Sequence, residues 1–169
     1  INPMRRRFEL MRLTDDHAHL LGRADLRPAQ AMEYADALGS FFDSLQIEEV
    51  AVGDQLAALV EADLAEHWQV SQVFLEATLA AWPARLVALG LMDVSERRAA
   101  LLRRLAQSWT ERPPEGVLVA AGSTGTAPAT RALLIAIASA PQGLVVLPGL
   151  DGDLAANAWA AVDDPHPQG

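Results

Sequence analysis

Two short apolar runs on either side of a helical segment constrain the fold of this chain more than any other feature. The runs VLVAA (117–121) and LVVLP (144–148) are typical of strands buried on both faces. Between them PATRALLIAIASA (128–140) has a helical pattern, with Thr126 as the expected N-cap. This spacing predicts a βαβ unit with two parallel strands. Because two strands alone do not form a stable sheet, we expect further strands from the rest of a longer chain or from a partner.

The residues before this unit carry helical patterns. Asn2 and Pro3 predict a capped helix that runs to Leu21. A second helix is predicted from Pro28 by apolar residues at three- and four-residue steps: Met32, Ala35, Leu38, Phe42 and Leu45. A third is predicted by Leu64, Trp68, Leu75, Leu79 and Trp82.

The third helix should end or kink at Pro83 and stop at Gly90. Asp93 and Glu96 have the spacing of a capping box, which predicts the start of a fourth helix. Its apolar face contains Leu101, Leu102, Leu105 and Trp109. The composition changes at the proline–glycine segment 111–116. We therefore expect an α/β protein that is predominantly α, with a helical subdomain at 1–112 and a partial α/β segment at 113–169.

Composition excludes several functions. The chain has no cysteine, which rules out disulfides and thiolate metal ligands. All 13 basic residues are arginine, so the lysine of a Walker A loop is absent. The net charge of −9 disfavours nucleic-acid binding over the whole surface. No apolar run reaches the ~18 to 20 residues of a membrane span, and we expect a cytoplasmic piece of a longer protein with no membrane contact.

The loop GSTGT is the first candidate site, and its residues are Gly122, Ser123, Thr124, Gly125 and Thr126. Glycine amides, hydroxyl groups and a helix N-terminus can together bind a phosphate or another anion. The alternative is a tight turn between strand and helix that uses glycine only for its dihedral freedom.

Three further groups of residues are weaker candidates. Asp151 and Asp153 follow the second strand, where carboxylates can hold Mg²⁺, although a helix cap is the favoured interpretation. His17 and His19 are spaced for metal ligation from a loop rather than from a helix, and a solvated helix end is favoured there. A basic cluster in the first helix either contacts a nucleic-acid backbone, faces solvent or pairs with nearby acids: Arg5, Arg6, Arg7 and Arg12.

Several segments, taken in order, resemble one family. They are NPMRRRFELMRL, LAEHWQ with FLEATLAAWP, LLRRLAQSW, VLVAAGSTGTAPATRALL and PQGLVVLPGLDGDL followed by WAAVDD and HPQ. These segments resemble AddB of the alphaproteobacterial type, a subunit of a helicase–nuclease that processes double-strand DNA breaks. The resemblance spans nearly the whole chain, and AAGSTGT…PAT together with LPGLD is its most specific part.

The resemblance implies an internal, helicase-like segment of such a subunit. The helices would be similar to the inserted subdomain of a superfamily 1 helicase, and the βαβ unit to part of its RecA-like sheet. The family implies an AddA-type partner, a contact with DNA, ATP and Mg²⁺ in the complex, and often an iron–sulfur cluster outside these residues. An active ATPase would end its core strand with acidic residues, whereas here VLVAA runs into GSTGT. We therefore expect a scaffold without catalytic residues or cofactors of its own. The exposed sheet edges also make dimerisation an expectation.

Overall fold

The computed structural model describes residues 1–23, 25–50, 66–149 and 158. The chain divides into two compact units, Ile1–Leu101 and Leu102–Gly169. The described residues are mostly helical, with one two-stranded parallel sheet. The predominantly helical character and the parallel strand pair are confirmed, whereas the subdomain boundary at residue 112 and the helicase-like class remain predictions.

The elements follow one another in the predicted order. They are α1 (Pro3–Asp16), a 3₁₀ turn (Ala18–Leu21), α2 (Pro28–Ile47), α3 (Glu66–Ala88), α4 (Val94–Glu111), β1 (Leu118–Ala121), α5 (Pro128–Ala138) and β2 (Gly143–Val146). No helix in these described ranges is both long and apolar enough to cross a bilayer.

Helix α1 begins as predicted and ends earlier than predicted. The Asn2 side chain accepts a hydrogen bond from the Arg5 amide at 2.8 Å, and Pro3 is the first helical residue. The α-helix ends at Asp16 because His17 leaves helical geometry, with φ −108° and ψ 7°. The chain continues as the 3₁₀ turn and reaches Gly22 in the left-handed region.

Helix α3 contains Pro83 in its interior and is not ended by it. The proline removes one backbone donor, yet Trp82 and Leu86 on either side are buried in the core, which holds the helix together. The helix stops as predicted at Gly90, where φ is +65°. There the Leu91 amide donates to the Leu86 carbonyl at 2.9 Å and the Gly90 amide to the Val87 carbonyl, which is a Schellman motif.

The core of the first unit lies between α1, α2 and α3. Phe42 stacks on Trp82 with ring centroids 6.1 Å apart, and this aromatic pair lies at its centre. The stripe predicted for α2 is largely confirmed, since Ala35, Leu38 and Phe42 are buried. The same cluster contains Leu10, Leu13, Ala35, Leu38, Phe42, Phe74, Trp82 and Leu86. Leu64 and the Trp68 side chain, also predicted for this core, lie outside the described part of the chain.

In the second unit β1 and β2 pair in parallel, from Leu118 opposite Gly143 to Ala121 opposite Val146. Helix α5 buries residues against the sheet, among them Ala136 and Ile137. The other sheet face is open, and the side chains of Val119 and Leu144 are 60% and 54% exposed. The prediction of burial on both faces was therefore wrong for these two strands, because α5 is the one helix of the described residues 118–149 that covers the sheet, and it covers one face.

The predicted Thr126 cap of α5 was also wrong. The N-cap residue is Ala127, which is extended, makes no side-chain cap bond and is followed by Pro128 at the first helical position. Proline has no backbone donor, so one of the unsatisfied amides at the start of a helix is absent here. The Thr126 hydroxyl instead lies 3.5 Å from the Thr124 hydroxyl.

We expect Gly143→Ala to destabilise the βαβ unit. An added Cβ at this position would lie 1.7 Å from the carbonyl oxygen of Ile137, so the α5–β2 connection must shift, at a cost of about 1–3 kcal/mol. Amide hydrogen exchange of the β1 and β2 residues measures the effect. The control is Gly39→Ala in α2, where the new Cβ meets Leu10 at 3.4 Å and the better helix propensity offsets the contact. Unchanged protection of the strands in Gly143→Ala would contradict this packing.

Candidate functional site

The carboxylate of Asp93 is the most densely bonded buried polar group of the first unit. Asp93 is fully buried immediately before α4. Its Oδ1 accepts from the Val94 amide at 2.6 Å, and its Oδ2 accepts from Trp82 Nε1 at 2.7 Å and from Gln46 Nε2 at 3.3 Å. Arg6 donates to Oδ2 from Nη2 at 3.2 Å. Its Nε lies 2.7 Å from Oδ1, as an ion pair without hydrogen-bond alignment. One carboxylate therefore joins α1, α2, α3 and the start of α4.

Arg6 uses its remaining donors on α2. Its Nη1 donates to Asp43 Oδ2 at 3.1 Å, and its Nη2 lies near the Gly39 carbonyl at 3.3 Å. Ser95 at the start of α4 donates to the other Asp43 oxygen at 2.5 Å. The Arg6 side chain is only 11% exposed. The structure thus places Arg6 inside the helical unit, between two carboxylates.

Arg5 and Arg12 lie on either side of a second buried carboxylate. Glu9 Oε2 accepts from Arg85 Nη2 at 2.7 Å and from Arg85 Nε at 3.0 Å, which ties α1 to α3. Arg5 and Arg12 are 4.0 and 3.7 Å from the other oxygen, and both side chains remain half or more exposed. Three guanidinium groups surround one carboxylate, which leaves positive charge in excess at this surface.

Arg7 forms an exposed bidentate pair with Asp36 of α2. Arg7 Nε donates to Asp36 Oδ1 at 2.7 Å and Nη2 to Oδ2 at 2.5 Å. These hydrogen bonds, with a smaller contribution from the attraction between the charges, hold the pKa of Asp36 below its ordinary value and raise the pKa of Arg7. Each of the four arginines of the predicted nucleic-acid cluster therefore has a carboxylate neighbour, and Arg5 and Arg12 are the two held at the longest distances. The nucleic-acid contact remains a prediction.

An open cavity of about 460 Å³ lies between α1, α2 and the start of α4. Its charged lining consists of Arg6, Arg7, Asp36 and Asp43, and these residues pair with one another. A second cavity of about 330 Å³ has an apolar lining that includes Tyr34, Phe41 and Phe74.

The GSTGT loop connects β1 to α5 and is hydrogen-bonded both within itself and to its neighbours, since the Gly122 amide donates to the Val146 carbonyl of β2. Gly122 and Gly125 have φ of +80° and +70°, so glycine is needed there for the backbone conformation. Ser123 Oγ accepts from the Gly125 amide at 3.3 Å. Arg131 Nε donates to the Gly125 carbonyl at 3.2 Å, which directs this cation at a backbone oxygen. The hydroxyls of the exposed residues Thr124 and Thr126 lie next to each other just before α5.

The metal-site candidates receive little support from the geometry. Asp151 and Asp153 lie outside the described residues. Within residues 1–23, 25–50 and 66–149, no group of three or more histidine, aspartate and glutamate side chains could hold a metal ion. His17 and His19 stack with ring centroids 6.5 Å apart, and His17 Nδ1 lies 2.8 Å from the Leu13 carbonyl, to which it must donate.

Comparison with known proteins gives no match to this chain among protein-family models, curated proteins or solved structures.

The sequence pattern does not identify the two buried carboxylates as centres of the structure. Asp93 was predicted as a cap, but its burial and its bonds to Trp82 and Arg6 join residues 11 and 87 positions apart. Glu9 lies in an arginine-rich helix and is not among the candidate residues named from the sequence. Glu9 follows Arg5 by four residues and precedes Arg12 by three, and this spacing on a helix predicts the two ion pairs.

We expect Asp93→Ala to destabilise the first unit by about 3–5 kcal/mol, because Arg6 and Trp82 would lose a buried partner. Urea unfolding followed by far-UV circular dichroism measures the loss. Asp36→Ala is the matched control, since it also removes an arginine-paired aspartate but at the surface, and we expect little change. Equal effects of the two substitutions would contradict a central role for Asp93.

We expect Arg7→Gln to raise the pKa of Asp36 toward its ordinary value near 3.8. A carboxyl whose pKa is lower in the folded state stabilises the fold above its unfolded pKa, and this stabilisation is lost as pH falls through the folded pKa. The Arg7→Gln protein should lose that small pH dependence. Carboxyl-carbon NMR titration of both proteins measures the midpoint. The same Asp36 midpoint in both would show that the pair does not persist in solution.

Proposed function

We propose that this chain is a non-catalytic, helicase-like segment of an AddB-type subunit of the AddAB helicase–nuclease, which processes double-strand DNA breaks for recombination. In this proposal the segment acts as a scaffold through contacts with an AddA-type subunit, with DNA as a second contact. The proposal starts from the ordered set of motifs that resembles this family. It assigns no cofactor to these residues, and ATP, Mg²⁺ and any iron–sulfur cluster belong to other parts of the complex.

The observation that carries the non-catalytic part is the bonding of the GSTGT loop. A phosphate-binding loop directs free amides and a cation toward the ligand. Here the Gly125 amide is bonded to Ser123, and Arg131 is bonded to the Gly125 carbonyl. Together with the absence of lysine from the sequence, this bonding supports a loop that retains a shape without the chemistry of ATP hydrolysis.

The scaffold part is supported by the helical unit. Asp93 and Glu9 are buried carboxylates that link helices through ion pairs with Arg6 and Arg85, and we infer that these pairs fix the arrangement of the helices that they join. A rigid arrangement suits a segment that positions other subunits. The surface arginines Arg5 and Arg12 are the residues that we propose for any DNA contact, since their guanidinium groups remain accessible.

A small phosphate- or nucleotide-binding domain is the competing proposal. Gly122 and Gly125 adopt positive φ, and the exposed hydroxyls of Thr124 and Thr126 stand before the N-terminus of α5. This arrangement is similar to loops that bind anions, and a ligand could exchange for the internal bonds.

Thermal melting of the full chain with ATP–Mg²⁺, and separately with single-stranded DNA at low salt, tests the two proposals. We expect no shift with ATP, and a shift of several degrees that disappears in Thr124→Val would establish the competing proposal. A shift with DNA should weaken in Arg5→Glu/Arg12→Glu and persist in Arg97→Glu/Arg98→Glu, which makes the same charge change on α4.

Titration with an AddA-type subunit tests the scaffold directly, and an absence of binding would overturn the family proposal.

A further inference from the structure

The outer face of α1 has the pattern of a helix–helix seam, of which the first two residues are exposed. Met4 and Phe8 are 63% and 47% exposed, and Met11 is partly buried. The spacing of these three residues alternates four and three, as at the d, a and d positions of a heptad repeat. Apolar residues at this spacing normally face a second helix. Here Met4 and Phe8 face solvent, whereas Met11 packs at the edge of the core, on a helix about 21 Å long.

The positions that flank this seam are basic. In the same heptad register Arg5 and Arg12 are e positions and Arg7 is a g position. The charge of Arg7 is balanced by Asp36. Arg5 and Arg12 share Glu9 with Arg85, which binds the other carboxylate oxygen, so three guanidinium groups face one carboxylate and the charge immediately around Glu9 is positive.

We propose that this seam (Met4, Phe8 and Met11, with Arg5 and Arg12) binds an acidic amphipathic helix of a protein partner. The inference rests on the scaffold role proposed above and names the chemistry of its contact. The partner presents apolar residues at its a and d positions and Glu or Asp where it faces Arg5 and Arg12. Residues at e and g set the choice of partner in such pairs, and the local charge excess is complementary to carboxylates.

For the seam as a whole the surface favours a protein helix over a nucleic acid, and the DNA contact proposed for Arg5 and Arg12 is then the second contact, which competes for the same two residues. Two of the three seam side chains are methionine, which offers no ring on which a base can stack. The C-terminal end of the same helix carries the exposed acids Asp15 and Asp16, which repel a continuous line of phosphates. A helical partner needs negative charge only beside Arg5 and Arg12, and it can place a basic residue opposite Asp15.

Fluorescence anisotropy of a labelled designed peptide with the full chain at low salt tests the proposal. The probe has about four heptads with Leu at a and d and Glu at every e and g, so that repulsion keeps it from pairing with itself. We expect saturable binding, weakened about tenfold or more in Arg5→Glu/Arg12→Glu and in Phe8→Ser. Binding should be unchanged in Arg97→Glu/Arg98→Glu. Circular dichroism of each variant confirms that the helical unit is folded.

A second peptide with Lys in place of Glu makes the test specific. It should not bind the unmodified chain, and it should bind Arg5→Glu/Arg12→Glu, because the charges are then complementary again. The proposal is overturned if the acidic peptide does not bind, if both peptides bind equally, or if a thymidine oligonucleotide binds the seam more tightly than the acidic peptide. If the acidic peptide does not bind the seam but an AddA-type subunit still binds the chain, the proposed scaffold role stands and this surface is not its contact. If that subunit also fails to bind, both proposals fall.

Discussion

The buried carboxylate of Asp93 is the interaction on which the helical unit depends. A charge removed from water is tolerated only when donors replace its hydration. Asp93 receives those donors from Trp82, Val94, Arg6 and Gln46, which belong to four different helices. The same residue fixes the corner between α3 and α4, because it lies between the Gly90 stop and the first residue of α4. The start of α4 is thus tied to α1, α2 and α3 through one carboxylate.

The three consecutive arginines of α1 show how a helix separates neighbouring residues. Successive side chains point about 100° apart, so Arg6 enters the unit while Arg5 and Arg7 lie on opposite sides of the outer face. Arg6 forms ion pairs with Asp93 and Asp43, and Arg7 forms an ion pair with Asp36. Only Arg5, together with Arg12 one turn after Glu9, is left at the surface with charge in excess. Consecutive arginines in a sequence therefore do not by themselves predict a basic surface patch, because carboxylates from distant positions can pair with them.

Local signals in the sequence predicted the local structure well, and distant partners account for the errors. Asn2, Pro3 and Gly90 act within one turn of backbone, and each has the predicted role. The strand–helix–strand pattern correctly predicted the parallel pair, because a helical crossover is the usual connection between neighbouring parallel strands. The capping box predicted where α4 begins but not the hydrogen bond at its start. The Glu96 amide donates to the Gln46 side chain, fifty residues away, and not to Asp93. Periodicity cannot report such a contact. The surplus charge beside Glu9 was hidden for the same reason, because Arg85 lies 76 residues from it.

The βαβ unit limits what the GSTGT loop can do. Ligands of parallel sheets bind at the carboxyl ends of the strands, and this loop leaves that end of β1. The groups that form it are held by bonds that a ligand would have to replace: the Ser123 hydroxyl by the Gly125 amide and the Gly125 carbonyl by Arg131. The opposite face of the sheet exposes Val119 and Leu144, and neither strand contains a charged residue or a proline that would discourage the addition of another strand. The exposed face of this sheet is therefore apolar, and its strands can pair with a further strand. Such a surface is better suited to binding another protein segment than to binding a charged small molecule.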